Sequence, residues 1–407
     1  MSLKNVFRFK ESDRNQTAVG LSAEQERASM PASPLFQSLA PDMQEQAFLN
    51  LHLWNYLEGL DPEEVGIPEF VPRLSKNLKS DSSNNFLYPV GNKVFIHLYT
   101  AEGEARDRYI AVEPASSVMK SGLMAEVDER LIDYVGELQA AVGEEKEKRE
   151  EVLTTILEKV CDTGGGKAKR SAVKVTPDEL DQLRYLMLRD KEGMGAIQPL
   201  VSDPYIEDVS CSGVGSVFVE HKIFGGLTAG ISFDSDEELD QFVIKLSEKI
   251  GRPVTVRSPI VDSTLPDGSR INIVYGSDVS KRGSNFTIRK FQATPFSILD
   301  LVNSGTLSFE MVSYLSLMLG AGMNTFVSGE TASGKTTMLN AISTFIPPAS
   351  KIVSIEDTPE LQVPHPNWTR EVVRNTADGS SSVTMFDLLR AALRQRPNEI
   401  IIGEIRG

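Results

Sequence analysis

Residues 329–336 read Gly-Glu-Thr-Ala-Ser-Gly-Lys-Thr, a full match to the phosphate-binding loop pattern G-x-x-x-x-G-K-[S/T]. The run at residues 325–328 predicts a short buried strand before the loop. Residues 335–345 predict a helix after it, because apolar side chains recur there at helical spacing. In this context the glycines let successive backbone N–H groups point at a phosphate, and the N-terminus of the helix adds positive potential. The stretch therefore predicts a nucleotide site at a turn between a strand and a helix.

Two side chains of this loop have specific expected roles in nucleotide binding. Lys335 would reach the β- and γ-phosphates, and the hydroxyl of Thr336 would bind Mg²⁺. We therefore expect ATP and Mg²⁺ as cofactors. The residues predicted to bind the nucleotide are Gly329, Glu330, Thr331, Ala332, Ser333, Gly334, Lys335, Thr336 and Thr337.

Two later runs predict apolar strands that end in acids. Residues 351–357 end in Glu356 and Asp357, and residues 400–404 end in Glu404. In parallel α/β sheets functional groups lie at the carboxyl ends of strands, so these carboxylates can lie beside the phosphate loop. The second run has the Walker B arrangement, in which the acid reaches Mg²⁺ through water. Either glutamate can activate the attacking water, and arginines can stabilise the transferred phosphoryl group.

The composition is typical of a globular protein of two or three domains. The chain has 407 residues, of which 40% are hydrophobic and 24% charged. The chain contains no run of about 18 apolar residues, so no transmembrane helix is expected. Cys161 and Cys211 lie far apart and form no metal-binding spacing, which favours a reduced, cytoplasmic protein. The net charge of −15 argues against broad binding to nucleic acid or anionic membranes.

Sequence patterns also divide the chain into segments. Residues 1–45 are polar and predict a mobile segment, with one helix near Pro41–Leu60. Residues 46–163 predict an α+β and helical module. A glycine-rich, basic stretch predicts a linker at 164–174. Residues 175–290 predict a second α+β module, in which Thr176 and Ser235 each open a capped helix.

Several strings together carry a resemblance to one family. They are the phosphate loop, Ile355-Glu356-Asp357-Thr358-Pro359-Glu360, the run from Leu389 through Walker B to Arg406, and the segments at 193–200 and 265–271. On these strings the chain resembles the type II/type IV secretion ATPase superfamily, and within it looks closest to archaeal members that power type II-like secretion, type IV pili or the archaeal flagellum. The resemblance covers residues 175–407 well and the first 170 residues poorly.

The resemblance implies an α/β fold with a RecA-like P-loop NTPase domain at 304–407, a hinge at 291–303 and a PAS-like α+β domain at 175–290, preceded by an N-terminal extension. It implies a cytoplasmic homohexameric ring, peripheral on the inner face of the cell membrane. The implied partners are a polytopic membrane platform protein and the secretion or pilus machinery, with no nucleic acid. Residue by residue, Glu356 matches the catalytic glutamate and Glu404 the Walker B glutamate that helps to hold the metal. Arg270 and Arg289 match arginines that approach the phosphates.

The resulting hypothesis is an ATPase motor, in which hydrolysis of ATP to ADP and phosphate drives domain motion in a ring. Family members continue beyond the Walker B strand, so the resemblance implies that the RecA-like domain is incomplete at Gly407. Two alternatives stay open at this point. One is a DNA-remodelling P-loop ATPase, which shares the core fold. The other is a nucleotide-gated assembly scaffold without significant hydrolysis.

Overall fold

The structure of the chain is a computed structural model. It divides into two compact units, Met1–Val261 with Asn272–Ile288, and Asp262–Ile271 with Arg289–Gly407. The structure describes residues 23–62, 64–75, 78, 83–91, 93–114, 122–141, 143–164, 172–265, 267–291, 295–330, 333–374 and 382–405. Within these ranges, no helix is long and apolar enough to cross a lipid bilayer.

The described residues form many helices and many strands, so the fold is mixed α/β. The α-helices of the described ranges are α1 (Ala23–Ser29), α2 (Pro34–Ser38), α3 (Pro41–Leu49), α4 (Leu51–Glu58), α5 (Leu123–Leu131), α6 (Val135–Ala140), α7 (Lys146–Val160), α8 (Pro177–Met187), α9 (Gln198–Ser202), α10 (Asp236–Lys249), α11 (Ile298–Asn303), α12 (Phe309–Gly320), α13 (Lys335–Ser343) and α14 (Met385–Arg394). The strands are β1 (Glu69–Phe70), β2 (Asn85–Val90), β3 (Val94–Tyr99), β4 (Arg108–Val112), β5 (Cys161–Asp162), β6 (Val173–Lys174), β7 (Ile206–Cys211), β8 (Gly215–His221), β9 (Gly225–Phe233), β10 (Ile260–Thr264), β11 (Arg270–Val274), β12 (Asn285–Arg289), β13 (Ile352–Glu356), β14 (Trp368–Val372) and β15 (Glu399–Ile402).

Ten of the described strands form one large sheet, in the order β1-β2-β3-β4-β9-β8-β7-β12-β11-β10, and β5 pairs separately with β6. The hairpin predicted around residues 93–112 is confirmed, since β3 and β4 pair in antiparallel fashion. β4 also pairs in parallel with β9, through Arg108 with Thr228 and Tyr109 with Ala229. One sheet thus contains strands from both predicted modules, 46–163 and 175–290. Their boundaries as separate domains stay a prediction.

Helices α2–α4 cover one face of strands β2–β4. Buried side chains of these helices, among them Phe36 and Trp54, pack with Leu87, Phe95 and Val112 of the sheet. Each such large apolar side chain stabilises the fold by about 2 kcal/mol when fully buried. The sequence analysis expected only one helix in this part, whereas the structure has helices from residue 23 onward. Short helices with few apolar residues are hard to predict because packing, rather than propensity, provides most of their stability.

The predicted helix caps are confirmed. The Thr176 side chain accepts from the N–H of Glu179, whose carboxylate accepts in turn from the N–H of Thr176. Ser235 caps α10 by accepting from the N–H of Glu238 at 3.2 Å. Such caps bind N–H groups that have no partner within the helix, and each stabilises by about 1 kcal/mol.

In the second unit β13 lies between β14 and β15, and all three strands are parallel. Every residue of β13 is buried. Ile352 packs in a cluster with Leu339 of α13, whereas Val353 and Ile355 pack with Ala392 of α14. Because successive side chains of a strand point to opposite faces, the two helices lie on opposite faces of this sheet.

The prediction of a buried strand at residues 325–328 was wrong. The structure gives this segment no strand, and Phe326 is 84% exposed. A strand is stable only when a neighbouring strand takes up its N–H and C=O groups. Among the described residues of this unit, β14 and β15 pair with β13 and not with residues 325–328. Apolar content alone therefore led to a wrong assignment.

Buried polar groups join distant parts of the first unit. The Asp203 Oδ2 accepts from the hydroxyls of Tyr88 on β2 and Tyr109 on β4, at 2.7 and 2.8 Å. On β3, Nδ1 of His97 lies 2.7 Å from the Tyr56 hydroxyl and Nε2 lies 2.7 Å from Asn85 Oδ1. A neutral imidazole that donates through Nε2 and accepts at Nδ1 satisfies both contacts.

Acidification should destabilise the first unit through its histidines. Burial lowers the pKa of His97 to about 3 and the pKa values of His52 and His221 to about 4, from an ordinary value of 6.5. Between about pH 6.5 and 4 the unfolded chain therefore binds more protons than the folded chain. The free energy of unfolding should fall as the pH falls through this range, by up to about 1.4 kcal/mol per pH unit for each histidine.

Denaturant unfolding at several pH values would test this expectation. In a Trp368→Phe background, fluorescence of the remaining tryptophan, Trp54, reports on the first unit. His97→Gln should reduce the slope of unfolding free energy against pH by about a third, because one of the three histidines no longer titrates. An unchanged slope would contradict the assignment of a neutral, buried His97.

Candidate functional site

The described part of the phosphate loop has a backbone that depends on its two motif glycines. Gly334 has a φ of +84° directly before α13, a left-handed conformation that strains any side chain. A Cβ on Gly329 would lie 2.6 Å from Ser333 Oγ and would push that hydroxyl aside. Thr331 and Ala332, both predicted to bind the nucleotide, lie outside the described residues. The backbone therefore requires glycine at Gly334, whereas at Gly329 a side chain would have to displace the Ser333 hydroxyl.

Lys335 folds back over this loop. Its ammonium donates to the carbonyl of Glu330 at 2.7 Å and to the carbonyl of Gly329 at 3.1 Å. Thr336 and Thr337 follow on the first turn of α13 and are half-buried. A positive charge and the N–H groups at the start of a helix therefore lie at one exposed turn, an arrangement that favours an anion. Phosphate binding at this loop would require Lys335 to exchange its carbonyl contacts for phosphate oxygens.

Glu356 ends β13 with a carboxylate that is almost wholly buried. The residue is 1% exposed. Its Oε1 accepts from the backbone N–H groups of Glu360 and Leu361, at 2.8 and 2.7 Å. Its Oε2 accepts from Arg370 Nε at 3.2 Å. A buried carboxylate is costly unless hydrogen bonds and a counter-charge compensate it, and here all three partners do so.

Arg370 is a residue that sequence reasoning missed. It lies on β14, and its guanidinium lies 5.4 Å from the ring centroid of Trp368. Trp368 in turn donates from its indole nitrogen to Ser354 Oγ at 2.9 Å. No motif marks Arg370, because its partner lies 14 positions earlier in the chain. The contact between Arg370 and Glu356 depends on the register of β13 against β14, in which Ser354 lies opposite Arg370.

Asn340 links the loop helix to the acidic turn. Its Oδ1 accepts from the N–H of Gln362 at 2.8 Å, and its Nδ2 donates to the carbonyl of Glu360 at 3.3 Å. Glu356 binds the same turn through Glu360 and Leu361. The structure therefore brings α13, which begins with Lys335, and the turn after Glu356 together through one amide side chain.

The strand end that carries Glu404 lies beside the one that carries Glu356. The N–H of Gly403 donates to the carbonyl of Ile355 at 2.9 Å. A Cβ on Gly403 would lie only 3.0 Å from Glu356 Cγ, so glycine allows the two chains this close approach. Glu404 follows immediately and is exposed, and Asp357 is half-buried.

The two predicted arginines have different surroundings. Arg270, on β11, forms a two-point ion pair with Asp262, from Nε at 3.2 Å and from Nη2 at 2.9 Å. Arg289 ends β12 and is exposed. Their approach to the phosphates of a nucleotide stays a prediction.

The described side chains form no dedicated metal cage. In the described ranges, no cluster of three or more His, Cys, Asp or Glu residues could hold a metal ion. Mg²⁺ in nucleotide sites is bound mainly by phosphate oxygens and water, with one or two protein oxygens. The hydroxyl of Thr336 and one carboxylate at a strand end are therefore a donor set that fits Mg²⁺ accompanied by a nucleotide.

Comparison with known proteins identifies related sequences. Residues 190–407 match the family model described as "Type II/IV secretion system protein". An uncharacterized protein of Methanocaldococcus jannaschii is 44% identical over 378 residues, which are 90% of this chain and 68% of the relative. The type IV secretion system protein VirB11 of Bartonella quintana is 31% identical over 209 residues, 43% of this chain and 58% of the relative.

Two solved structures also match in part. One is the VirB11 ATPase from the Brucella suis type IV secretion system in complex with sulphate, at 26% identity, 54% of this chain, 68% of that chain and a TM-score of 0.24. The other is the pilus retraction motor PilT with bound ADP, at 18% identity, 50% of this chain, 57% of that chain and a TM-score of 0.34. Superpositions at these scores carry no weight for the fold of this chain.

Loss of Arg370 should destabilise the second unit. Arg370→Ala leaves the carboxylate of Glu356 buried with one donor fewer, and we expect the free energy of unfolding to fall by about 1–2 kcal/mol. The expected loss of stability is modest because the Arg370 side chain is 33% exposed, so water replaces part of the contact. In a Trp54→Phe background, the fluorescence of Trp368 would report unfolding of this unit.

Arg390→Ala is a matched control for this measurement. The Arg390 guanidinium lies 4.6 Å from the ring centroid of Phe386 on the exposed side of α14. Its loss should change stability by about 0.5 kcal/mol. Equal effects of the two substitutions would show that the Arg370–Glu356 contact contributes nothing specific.

Proposed function

Since the matching family model covers more than half of its residues, this chain belongs to the type II/IV secretion system ATPase family, and we propose that it is an ATP-hydrolysing motor. The observation that carries the proposal is the loop at residues 329–336, where Gly334 has the left-handed backbone before α13 and Lys335 folds over the turn. Both glycines and the lysine of the motif thus have a physical role in one anion-binding turn.

The proposed binding roles follow from the donors in this turn. The N–H groups of the loop and the start of α13 bind the phosphates, and Lys335 neutralises the β- and γ-phosphate charge. Thr336 and Glu404 would hold Mg²⁺ beside the bound nucleotide. Mg²⁺, when bound, neutralises charge that develops on the phosphate oxygens. Arg270 and Arg289 add positive charge toward the transferred phosphoryl group, for which Arg270 exchanges its ion pair with Asp262.

Glu356 is the proposed base for the attacking water. To act as a base, Glu356 has to release one of its hydrogen bonds. Both carboxylate oxygens already accept hydrogen bonds, from Glu360, Leu361 and Arg370. Since Oε1 is bound by two backbone amides and Oε2 by a single exchangeable side chain, Oε2 is the atom that would take the proton. Release of Arg370 from Oε2 then accompanies the proton transfer.

The finer parts of the proposal concern assembly and cellular role. We expect a homohexamer, peripheral on the cytoplasmic face of the cell membrane, that couples hydrolysis to domain motion and drives type II-like secretion or assembly of a type IV pilus or archaeal flagellum. A polytopic membrane platform protein is the expected partner. The PAS-like domain at 175–290, the hinge at 291–303 and the RecA-like domain from 304 onward are parts of the same proposal. Its support is the family membership and the sequence strings given above.

Lys335→Ala should abolish ATP turnover in the complete protein. Removal of one charged donor that contacts the transferred group costs about 10²–10³-fold in rate. Phosphate release at saturating ATP is the measurement, with Lys281→Ala as control, because Lys281 is an exposed cation outside the site. Turnover close to that of the unsubstituted protein would contradict the assignment of this loop as the phosphate site.

Two amide variants would separate the proposed roles of the glutamates. Glu356→Gln keeps an oxygen for the amides of the turn but removes the base, so phosphate release should fall by about 10²–10⁴-fold with little change in nucleotide affinity. Glu404→Gln should instead weaken the dependence of binding on Mg²⁺, which titration with MgATP and with ATP in chelator would measure. If Glu404→Gln alone abolished turnover while Glu356→Gln retained it, Glu404 would be the base.

A further inference from the structure

A groove of about 380 Å³ crosses the helical part of the first unit. We call it the acidic groove. One wall is formed by α5, the following 3₁₀ turn (Ile132–Tyr134) and α6, and the rest by α7 and the end of α8 with the turn after it. The lining residues are Asp128, Leu131, Ile132, Val135, Leu138, Ala141, Arg149, Leu153, Met187, Lys191 and Glu192. This groove lies almost wholly outside residues 190–407, which match the secretion family model.

The floor of the acidic groove is apolar and part of its wall is unusually exposed. Leu153 and Met187 are buried beneath it. In contrast, Ile132 is 67% exposed and Val135 is 41% exposed. Single exposed aliphatic residues are ordinary, but two on one edge of an apolar groove form a continuous surface whose burial is favourable. The surface fits the apolar face of a helix, which inserts side chains at intervals of three and four residues.

Both cations at the rim are already neutralised. Arg149 Nε lies 2.8 Å from Glu192 Oε2, and Lys191 Nζ lies 3.3 Å from Asp128 Oδ1. These two ion pairs leave no net positive charge among the lining residues. A ligand that needs a cation, such as an anionic lipid or an acidic peptide, therefore has nothing at this rim to bind.

The helices that form the wall are strongly acidic. Residues 122–151 contain ten Asp and Glu side chains against four Lys and Arg side chains, a formal charge of −6. Glu129 and Asp133, which flank Ile132 in the sequence, are exposed. Charges on these helices act on a ligand that comes within the screening length of about 8 Å at physiological salt. The groove thus combines an apolar floor and a neutral rim with an excess of acidic residues on the helices that form its wall.

We propose that the acidic groove binds a basic amphipathic helix of a partner protein. The apolar face of that helix packs on Ile132, Val135 and the floor, and its Lys and Arg side chains lie against the acidic wall. Charge complementarity selects such a helix over an acidic one, because like charges at an interface repel each other. The proposal is independent of ATP hydrolysis, so the failure of one does not affect the other.

The probe for this site is a synthetic helical peptide of about 15 residues built only from Leu and Lys, with Leu at helical spacing. Its fluorescence anisotropy would be titrated with the full chain. Ile132→Ser combined with Val135→Ser should weaken binding about tenfold, because two apolar contacts are lost. Glu129→Lys combined with Asp133→Lys should also weaken binding about tenfold at low salt and less at high salt.

Controls of the same chemistry lie on α3. Leu49 is 61% exposed and Glu45 is exposed, so Leu49→Ser and Glu45→Lys change an apolar and an acidic surface residue away from the groove. Both should leave binding unchanged. Equal losses in the control and groove variants would overturn the proposal, as would equal binding of the matching Leu/Glu peptide. Self-association of the chain that Ile132→Ser abolishes would identify a second copy as the occupant and would overturn it too.

Discussion

The buried carboxylate of Glu356 is the constraint on which the second unit depends. It ends a strand whose residues are all buried, and it binds two backbone amides of the next turn and the guanidinium of a neighbouring strand. A charge in such surroundings is stable only while its partners stay in place, so it determines the course of residues 357–361 and the pairing of β13 with β14. Asn340 then joins this turn to the helix that carries the phosphate loop.

The same principle operates in the first unit with different groups. Asp203 accepts hydrogen bonds from tyrosines of two strands that lie about a hundred residues earlier, and His97 is held between Tyr56 and Asn85. The Asp203 contacts join segments that local patterns assign to separate modules, and the parallel pairing of β4 with β9 joins those modules into one sheet. Apolar packing provides most of the stability there, whereas the buried polar groups specify which segments meet.

Much of the local structure could be predicted from the sequence. The caps at Thr176 and Ser235 and the helix after the phosphate loop depend on neighbours within a few residues, and each is present. The β3–β4 hairpin and the apolar strands β13 and β15 are present as well, although β13 and β15 pair with each other across a long stretch of chain. Residues 325–328 failed as a strand because strand formation needs a partner that local composition does not reveal. Arg370 and Asn340 carried no sequence signal, since each acts only through residues that the fold brings beside it.

By itself, the amino-acid sequence determined the glycine turn before α13 where we predict that phosphate binds, and which side chains are available around it. A glycine with a left-handed backbone, a lysine and a helix start act through local geometry, which a short motif encodes completely. The tertiary structure alone decided that Glu356 is buried between two amides and Arg370, that Gly403 lets a second acidic strand end lie beside it, and that an apolar groove has an acidic wall. Burial, ion pairing and groove formation arise between residues far apart in the chain, so no local pattern contains them.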